Sequence, residues 1–376
     1  MFGFKNSYIY IEGLGIKKSS LKIEDGKFTS FEEETDFVEL DDKYIIVPGF
    51  IDEHIHGANG SDAMDATNEA IHNIASSLPQ DGVTSFLATT MTMDEECIRK
   101  SLINIANYSQ KENEANLLGI HLEGPFISPK YCGAQDPSKI IKASEEKIKE
   151  YSELSNHKIK IITLAPEECD NNVYKTLKEL NIIASAGHTN ATCKDIKNAI
   201  DNGLSMTTHT YNAMKGIHHR EIGTVGAALL YDNLNCELIC DLYHVSEDAI
   251  RLLYKSKQAD KLILITDSME ARFLKDGMYK LGGQDVKVEN GTARLFDGTL
   301  AGSILHMNDA IKNFQNVCNT SLEEAIDKAT INPARNLNID VHKGSIAINK
   351  DADFVIIDKE LNIYATFING KLVYKK

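Results

Sequence analysis

The sequence of 376 residues lacks clustered positive charge and long apolar runs. No run approaches the ~20 apolar residues that a membrane-spanning helix needs, and the first residues lack the charged start and apolar core of a signal peptide. The net charge of −15 is spread along the chain, which disfavours nucleic acid and anionic membranes as partners. These features predict a soluble, cytoplasmic protein.

Cysteine motifs and several familiar catalytic motifs are also missing. The seven cysteines are scattered without a C-x-x-C pair, which fits a reduced protein better than a disulfide framework. There is no G-x-S-x-G elbow, no Walker A loop, and no G-x-G-x-x-G motif after the first predicted strand. Serine or cysteine catalysis therefore has no support.

Short apolar, β-branched runs alternate with segments of helical spacing. The runs predict eight strands, at 44–51, 83–89, 117–123, 159–164, 181–186, 205–209, 236–241 and 261–266. The segments between them predict helices at 68–78, 95–108, 143–154, 173–180, 193–200 and 246–254. Nearly continuous apolar strands that alternate with helices indicate an α/β fold, a (β/α)8 TIM barrel of parallel strands.

The chain is longer than one barrel of roughly 250 residues, and the additional residues are expected at its two ends. Residues 1–47 and 337–376 contain further short strands and tight turns, such as those at Asp25-Gly26 and Asn369-Gly370. Neither end has enough apolar residues for a core of its own. We therefore expect the ends to form one small discontinuous β-sandwich domain beside a barrel of residues 48–336.

Side chains that can bind metal ions stand where the predicted strands end. They are His54, His56, Glu123, His188, His209 and Asp267. Because a barrel gathers the C-terminal ends of its strands at one mouth, all six are expected to meet there. Residues two apart on a strand share a face, so the two histidines of the His-x-His pair could chelate one ion. The set suits one or two divalent transition ions, such as zinc, iron, manganese or cobalt.

Simpler interpretations of these residues compete with metal binding. An arbitrary His-x-His pair is more often a hydrogen-bonded or surface pair, but this pair closes a strand and is followed by glycine, which favours metal binding. Asp267 could cap a helix, but residues 268–272 lead into a glycine-rich excursion instead. His121, one layer below Glu123, is expected to be a packed, hydrogen-bonded histidine. As a metal site, the group would lower the pKa of bound water from ~15.7 to about 7. Asp267 would then carry the proton to the leaving group.

Motifs accompany these residues along essentially the whole chain. They lie at 48–56, 121–126, 187–189, 209–214, 220–223, 266–267, 300–303, 344–347 and 351–353. Together they resemble the amidohydrolase superfamily and, within it, the N-acetylglucosamine-6-phosphate deacetylase family. The resemblance implies that Glu123, His188 and His209 hold the main ion and that Asp267 is the catalytic acid and base. It also implies a second ion at His54 and His56 in relatives that keep both.

The same resemblance implies a sugar-phosphate substrate and a homodimer. The implied substrate-binding residues are Ala134, Gln135, Asn212, Ala213, Arg220, Asp241, Leu242, Tyr243, His244, Leu300, Ala301 and Gly302. An arginine with a histidine suits a phosphate group, either within one subunit or across the dimer. Gln135 stands where many relatives have histidine, and it could donate a hydrogen bond to the acetyl carbonyl without carrying a proton.

Two alternatives to this function remain. The first is the same chemistry on N-acetylgalactosamine 6-phosphate or on a cyclic amide. The second is a non-catalytic scaffold, which predicts missing metal ligands. None of the six is missing, so the sequence favours an enzyme.

Overall fold

The apolar runs form eight parallel strands that pair in chain order around a barrel. In the computed structural model, which describes residues 1–34 and 36–376, they are Phe50–Ile55, Val83–Thr90, Asn116–Glu123, Ile159–Leu164, Ile183–Ala186, Leu204–Thr207, Asn235–Ile239 and Leu262–Ile265. The first and eighth strands close the ring, because the Asp267 N–H donates to the His54 carbonyl at 2.9 Å and the His56 N–H to the Ser268 carbonyl at 2.9 Å. The predicted (β/α)8 barrel is confirmed.

The first predicted strand, 44–51, divides into two strands of different sheets. Tyr44–Pro48 pairs with Phe354–Asp358 outside the barrel, and the barrel strand begins at Phe50. Gly49 allows the change of sheet, because a Cβ there would lie 2.2 Å from Thr84 Oγ1. The single-strand prediction was wrong because both pieces are apolar and no polar residue separates them.

Helices cover the outside of the barrel, between successive strands and after the eighth strand. Within the described residues they are Asn68–Ser77, Glu95–Asn107, Glu145–Leu154, Asn171–Glu179, Cys193–Asn202, Gly223–Leu230, Glu247–Ser256, Met307–Cys318, Leu322–Asp327 and Ile331–Asn336. Each of the six predicted helices is present. Side-chain caps define the starts of some of them: Thr192 caps Cys193–Asn202 through a reciprocal capping box with Asp195.

Strands from both chain ends form a second sheet of eight strands, separate from the barrel. They are Phe2–Ile11, Gly15–Glu24, Lys27–Ser30, Val38–Glu39, Tyr44–Pro48, Phe354–Asp358, Ile363–Ile368 and Lys371–Lys375. Its core contains Phe4, Phe28 and Phe354, and the rings of Phe354 and Phe367 stack with centroids 4.4 Å apart. This sheet is consistent with the predicted small domain, because it needs strands from both ends.

A three-stranded antiparallel sheet follows the eighth barrel strand and lies beside the barrel mouth. It comprises Gly277–Leu281, Gln284–Glu289 and Thr292–Arg294, and a shorter pair, Gly57–Ala58 with Ser61–Asp62, follows the first barrel strand. Leu281, Val286 and Val288 share a small core with Met91 and Met269. The sequence indicated only a glycine-rich excursion here.

Two further observations bear on the expected environment of the protein. All seven cysteines are free thiols. Among the described residues, no helix has both the length and the apolar character needed to cross a membrane.

Candidate active site and metal centre

The six predicted ligands lie together, buried, at the C-terminal end of the barrel. Their ligand atoms form two groups, and within each group these atoms lie no more than 4.8 Å apart. Group A consists of Glu123, His188 and His209, and group B of His54, His56 and Asp267. The strand-end pattern therefore identified residues that the fold brings together.

Three ligand atoms of group A converge on one point. Glu123 Oε1 lies 3.1 Å from His188 Nε2 and 2.9 Å from His209 Nε2, and the two imidazole nitrogens are 3.1 Å apart. His188 Nδ1 lies 3.1 Å from the Tyr131 carbonyl, which only accepts, so Nδ1 donates there. The Nε2 atom then faces a carboxylate oxygen, an arrangement that suits a cation bound by both atoms.

Group B is more open than group A, and Glu123 lies between the two. His56 Nε2 lies 3.2 Å from Asp267 Oδ1 and 3.4 Å from Glu123 Oε2. His54 Nε2 lies 3.5 Å from Asp267 Oδ1 and, among the described residues, has no hydrogen-bond partner. A buried nitrogen without a partner, aimed at carboxylates, fits a ligand to a second ion.

Surplus negative charge makes the centre attractive to cations. Burial lowers the pKa of the His54 imidazole, but the carboxylates of Glu237, Asp267 and Glu123 outweigh burial and raise it to about 9. Burial by itself would raise the pKa of Asp267, but the imidazoles of His54 and His56 lower it to about 2. Asp267 is therefore an ionised carboxylate at neutral pH. The protons on the neighbouring imidazoles occupy the place that a divalent ion would take.

Three of the six predicted ligands have a left-handed backbone. The φ angles are +47° at His188, +32° at His209 and +49° at Asp267. Such a conformation costs a residue other than glycine on the order of 1–3 kcal/mol and persists only where its surroundings fix it. These three strained positions lie where chemistry is expected, and the supports below the two groups sustain them.

Neutral hydroxyl groups support group A from below. Thr208 Oγ1 lies 2.7 Å from Thr163 Oγ1 and 2.6 Å from Ser185 Oγ, and Thr163 Oγ1 lies 2.7 Å from His121 Nε2. Gly187 leaves the room for this layer, since a Cβ there would lie 2.7 Å from both threonines. His121 is thus packed and hydrogen-bonded below Glu123, as the sequence indicated.

Buried ions support group B. Arg272 has no exposed surface, and its Nε donates to Asp81 Oδ2 at 3.0 Å. Its Nη1 lies 3.4 Å from Asp52 Oδ2, and 3.3 Å from both Thr266 Oγ1 and Ser268 Oγ. The guanidinium thereby holds both neighbours of Asp267. Sequence reasoning missed Arg272, because an isolated arginine is usually exposed.

A cavity of about 200 Å³ opens above the two groups. Seven predicted substrate residues line it: Ala134, Gln135, Asn212, Ala213, His244, Leu300 and Gly302. Five others do not line it: Arg220, Asp241, Leu242, Tyr243 and Ala301. The lining also includes Met91, Gly133, Leu281 and Thr299, which the sequence analysis missed. Leu281 and Thr299 come from the excursion, whose strands the sequence did not indicate.

Asp241 and Arg220, two of the residues that do not line the cavity, have different surroundings. Asp241 Oδ2 lies 2.6 Å from His244 Nδ1, so Asp241 sits behind His244 and leaves its Nε2 for the cavity. Burial raises the pKa of Asp241, but this hydrogen bond helps to bring it below its usual value. Arg220 is exposed and lies with its Nη1 2.7 Å from His219 Nε2.

Gln135 faces group A. Its Nε2 donates to Glu123 Oε2 at 2.7 Å, and its Oε1 accepts the Thr92 N–H at 2.7 Å. This contact orients the carboxylate that the two groups share. The predicted hydrogen bond from Gln135 to an acetyl carbonyl stays a prediction, and it would require the amide to leave or share this partner.

Comparisons with known proteins agree with this site. The amidohydrolase family model matches residues 45–373. The chain is 41% identical to N-acetylglucosamine-6-phosphate deacetylase of Bacillus subtilis (strain 168), over 98% of this chain and 96% of the relative. It is 34% identical to N-acetylgalactosamine-6-phosphate deacetylase of Escherichia coli O157:H7, over 94% of each. The crystal structure of N-acetylglucosamine-6-phosphate deacetylase from Thermotoga maritima superposes with a TM-score of 0.91 at 36% identity, covering both chains fully.

The chain therefore belongs to the amidohydrolase family. The relatives that it matches over nearly its full length are deacetylases of amino-sugar phosphates. The resemblance inferred from the sequence motifs is confirmed.

Proposed function

We propose that this protein hydrolyses the acetamide of N-acetylglucosamine 6-phosphate, giving glucosamine 6-phosphate and acetate. The observation that carries the proposal is the convergence of Glu123, His188 and His209 below a cavity lined by polar and apolar residues, in a chain similar over nearly its whole length to an enzyme of that name. The galactosamine epimer is the second candidate, and it is less favoured because identity to the relative of that name is lower, 34% against 41%.

The residues present fit a divalent transition ion. Glu123, His188 and His209 would hold the main ion, and His54 and His56 a second one, with zinc, iron, manganese and cobalt all compatible with these donors. When bound, such an ion polarises a carbonyl and lowers the pKa of water to near neutral.

Asp267 is the proposed acid and base. Its carboxylate lines the cavity and is ionised at neutral pH, so it is able to take a proton from the attacking water. It would then return that proton to the amine nitrogen as the carbon–nitrogen bond breaks. The left-handed backbone of Asp267, held through Thr266 and Ser268, keeps the carboxylate directed at the cavity.

Substrate recognition follows from the polar groups at the rim. His244, oriented by Asp241, offers its Nε2 to a sugar or phosphate oxygen, and Asn212 lies on the same cavity wall. Arg220 does not line the cavity of its own chain, which favours a contribution to the phosphate site of a partner subunit in a homodimer. The seven free thiols support a cytoplasmic protein.

The test of this function combines an activity assay with one conservative variant. Acetate release is measured on the two epimeric 6-phosphates and on their unphosphorylated sugars, and the 6-phosphate of N-acetylglucosamine should have the highest kcat/KM. Asp267→Asn should lower kcat by ~10²–10⁴-fold, the usual contribution of general acid–base catalysis. The exposed Asp232→Asn serves as the control. Near-normal turnover by Asp267→Asn would remove Asp267 from the mechanism.

A further inference from the structure

Glu237 contacts both ligand groups from below, although it is not among the predicted ligands. It lies on the seventh barrel strand, Asn235–Ile239, and has no exposed surface. Its Oε2 lies 3.0 Å from His54 Nδ1 and accepts the backbone N–H of His209 at 3.0 Å. One carboxylate oxygen thus joins a histidine of group B to the strained backbone of a histidine of group A.

This contact decides which nitrogen of His54 is available to an ion. A carboxylate oxygen only accepts hydrogen bonds, so Nδ1 of a neutral His54 ring must carry the hydrogen. The lone pair is then on Nε2, which lies 3.5 Å from Asp267 Oδ1 and 3.7 Å from Glu123 Oε1. In the other tautomer an N–H would point at the ion position and exclude an ion.

Group A does not depend on Glu237 in the same way. The ring of His188 is oriented by the Tyr131 carbonyl, 3.1 Å from its Nδ1, and Glu123 accepts from Gln135. The contact of Glu237 to His209 involves the backbone alone, and the His209 ring is held through Glu123 at 2.9 Å. Removing the Glu237 charge should therefore affect group B far more than group A.

We propose that Glu237 is a positioning residue that makes group B able to bind a second metal ion. It fixes the His54 tautomer, and its negative charge makes the His54 imidazole a stronger donor. The inference rests on the proposed metal centre, and it adds a structural cause for the occupancy of the second site.

The same barrel floor offers a matched control. Glu53 is also fully buried, and its two carboxyl oxygens accept from Asn336 Nδ2 at 3.0 and 3.1 Å. Burial, with the nearby Glu237, raises the pKa of Glu53 well above its usual value. Glu53→Gln replaces a buried carboxyl, whose side-chain hydrogen bonds go to Asn336 and to neither ligand group, by an amide of the same shape.

The experiment compares metal content in wild-type protein, Glu237→Gln and Glu53→Gln. Each is purified without chelator, saturated with zinc, and analysed for ions per subunit and for zinc retention against a graded series of chelator. Wild-type protein and Glu53→Gln should hold two ions. Glu237→Gln should keep one and bind the second ~10–100-fold more weakly, the usual effect of losing such a partner. Thermal melting of the metal-free forms checks that each variant is folded.

Other outcomes separate this inference from the proposed function. Two equally tight ions in Glu237→Gln, loss of both ions, or an equal loss in Glu53→Gln would each overturn the role of Glu237. A wild-type protein with a single ion and full deacetylase activity would also overturn it and leave the proposed function intact. A wild-type protein with no ion and no activity would instead overturn the proposed function.

Discussion

The two ligand groups of the barrel mouth stand on chemically different supports. Below group A, the side chains of Thr163, Ser185 and Thr208 form a neutral network of hydroxyl groups. Beside group B, the buried guanidinium of Arg272 is paired with Asp52 and Asp81. The same mouth is thus held by hydrogen bonds on one side and by ions on the other.

The difference follows from where each group lies in the barrel. Group A comes from the third, fifth and sixth strands, whose neighbours are paired on both sides and already fixed by the sheet. Group B lies at the seam between the first and eighth strands, where the chain leaves the barrel for the excursion. A charged clamp at that seam specifies one arrangement, because its partners cannot be exchanged without leaving a buried charge unpaired.

The largest effect should come from removing a ligand of each group in turn. His188→Ala breaks group A and should remove the main ion, with a fall in kcat/KM of ~10³-fold or more, corresponding to the several kcal/mol that an ion supplies. His56→Ala should lower kcat/KM by only ~10–100-fold, because group A stays complete. Steady-state kinetics with metal analysis measures both. Equal losses would show that the two groups act as one unit.

The next effect is on stability at the group B support. Arg272→Met leaves buried Asp52 without its ionic partner and Asp81 with only the His306 ring beside it, so the free energy of unfolding should fall by about 3–5 kcal/mol. Urea denaturation of the metal-free protein measures it. Lys197→Met, which removes an exposed ion pair with Asp201 on a helix surface, is the control and should cost only about 0.3–0.5 kcal/mol. A similar cost for the two variants would contradict the clamp.

The smallest effect belongs to the group A support. Thr208→Val keeps the shape of the side chain but leaves Thr163 and Ser185 short of a hydrogen-bond partner, at a cost of about 1–3 kcal/mol. The same denaturation experiment measures this cost. If Thr208→Val proved more destabilising than Arg272→Met, the contrast between a neutral and an ionic support would be wrong.

Residues at strand ends were predictable because their position follows from the strand alone. Glu123 is the last residue of an apolar strand, and His188 and His209 come two residues after theirs, so barrel topology is enough to bring them together. The residues that support the two groups were harder to predict. Glu237 and Arg272 are charged residues in apolar surroundings, and sequence does not reveal which charges will be buried together.

The residues of the cavity wall also divide into those that the sequence indicated and those that only the tertiary structure reveals. Ala134, Asn212 and His244 were indicated by motifs, whereas Leu281 and Thr299 reach the cavity only because the excursion folds back over the mouth. Arg220 was indicated as well, but its place outside the cavity of its own chain depends on the path of the loop that carries it. Motifs thus identify candidate residues without telling which of them line the cavity.

Sequence by itself determined the barrel, the union of the two chain ends in one sheet, and the six side chains at the mouth. Those features depend on local periodicity and on the parallel order of the strands, and the pattern of apolar residues indicates both. Only the tertiary structure decided that Glu123 lies between two ligand groups, that Glu237 orients His54, and that Arg272 clamps the seam. Such contacts join residues up to 220 positions apart, as for Arg272 with Asp52, and depend on distances that no local pattern encodes.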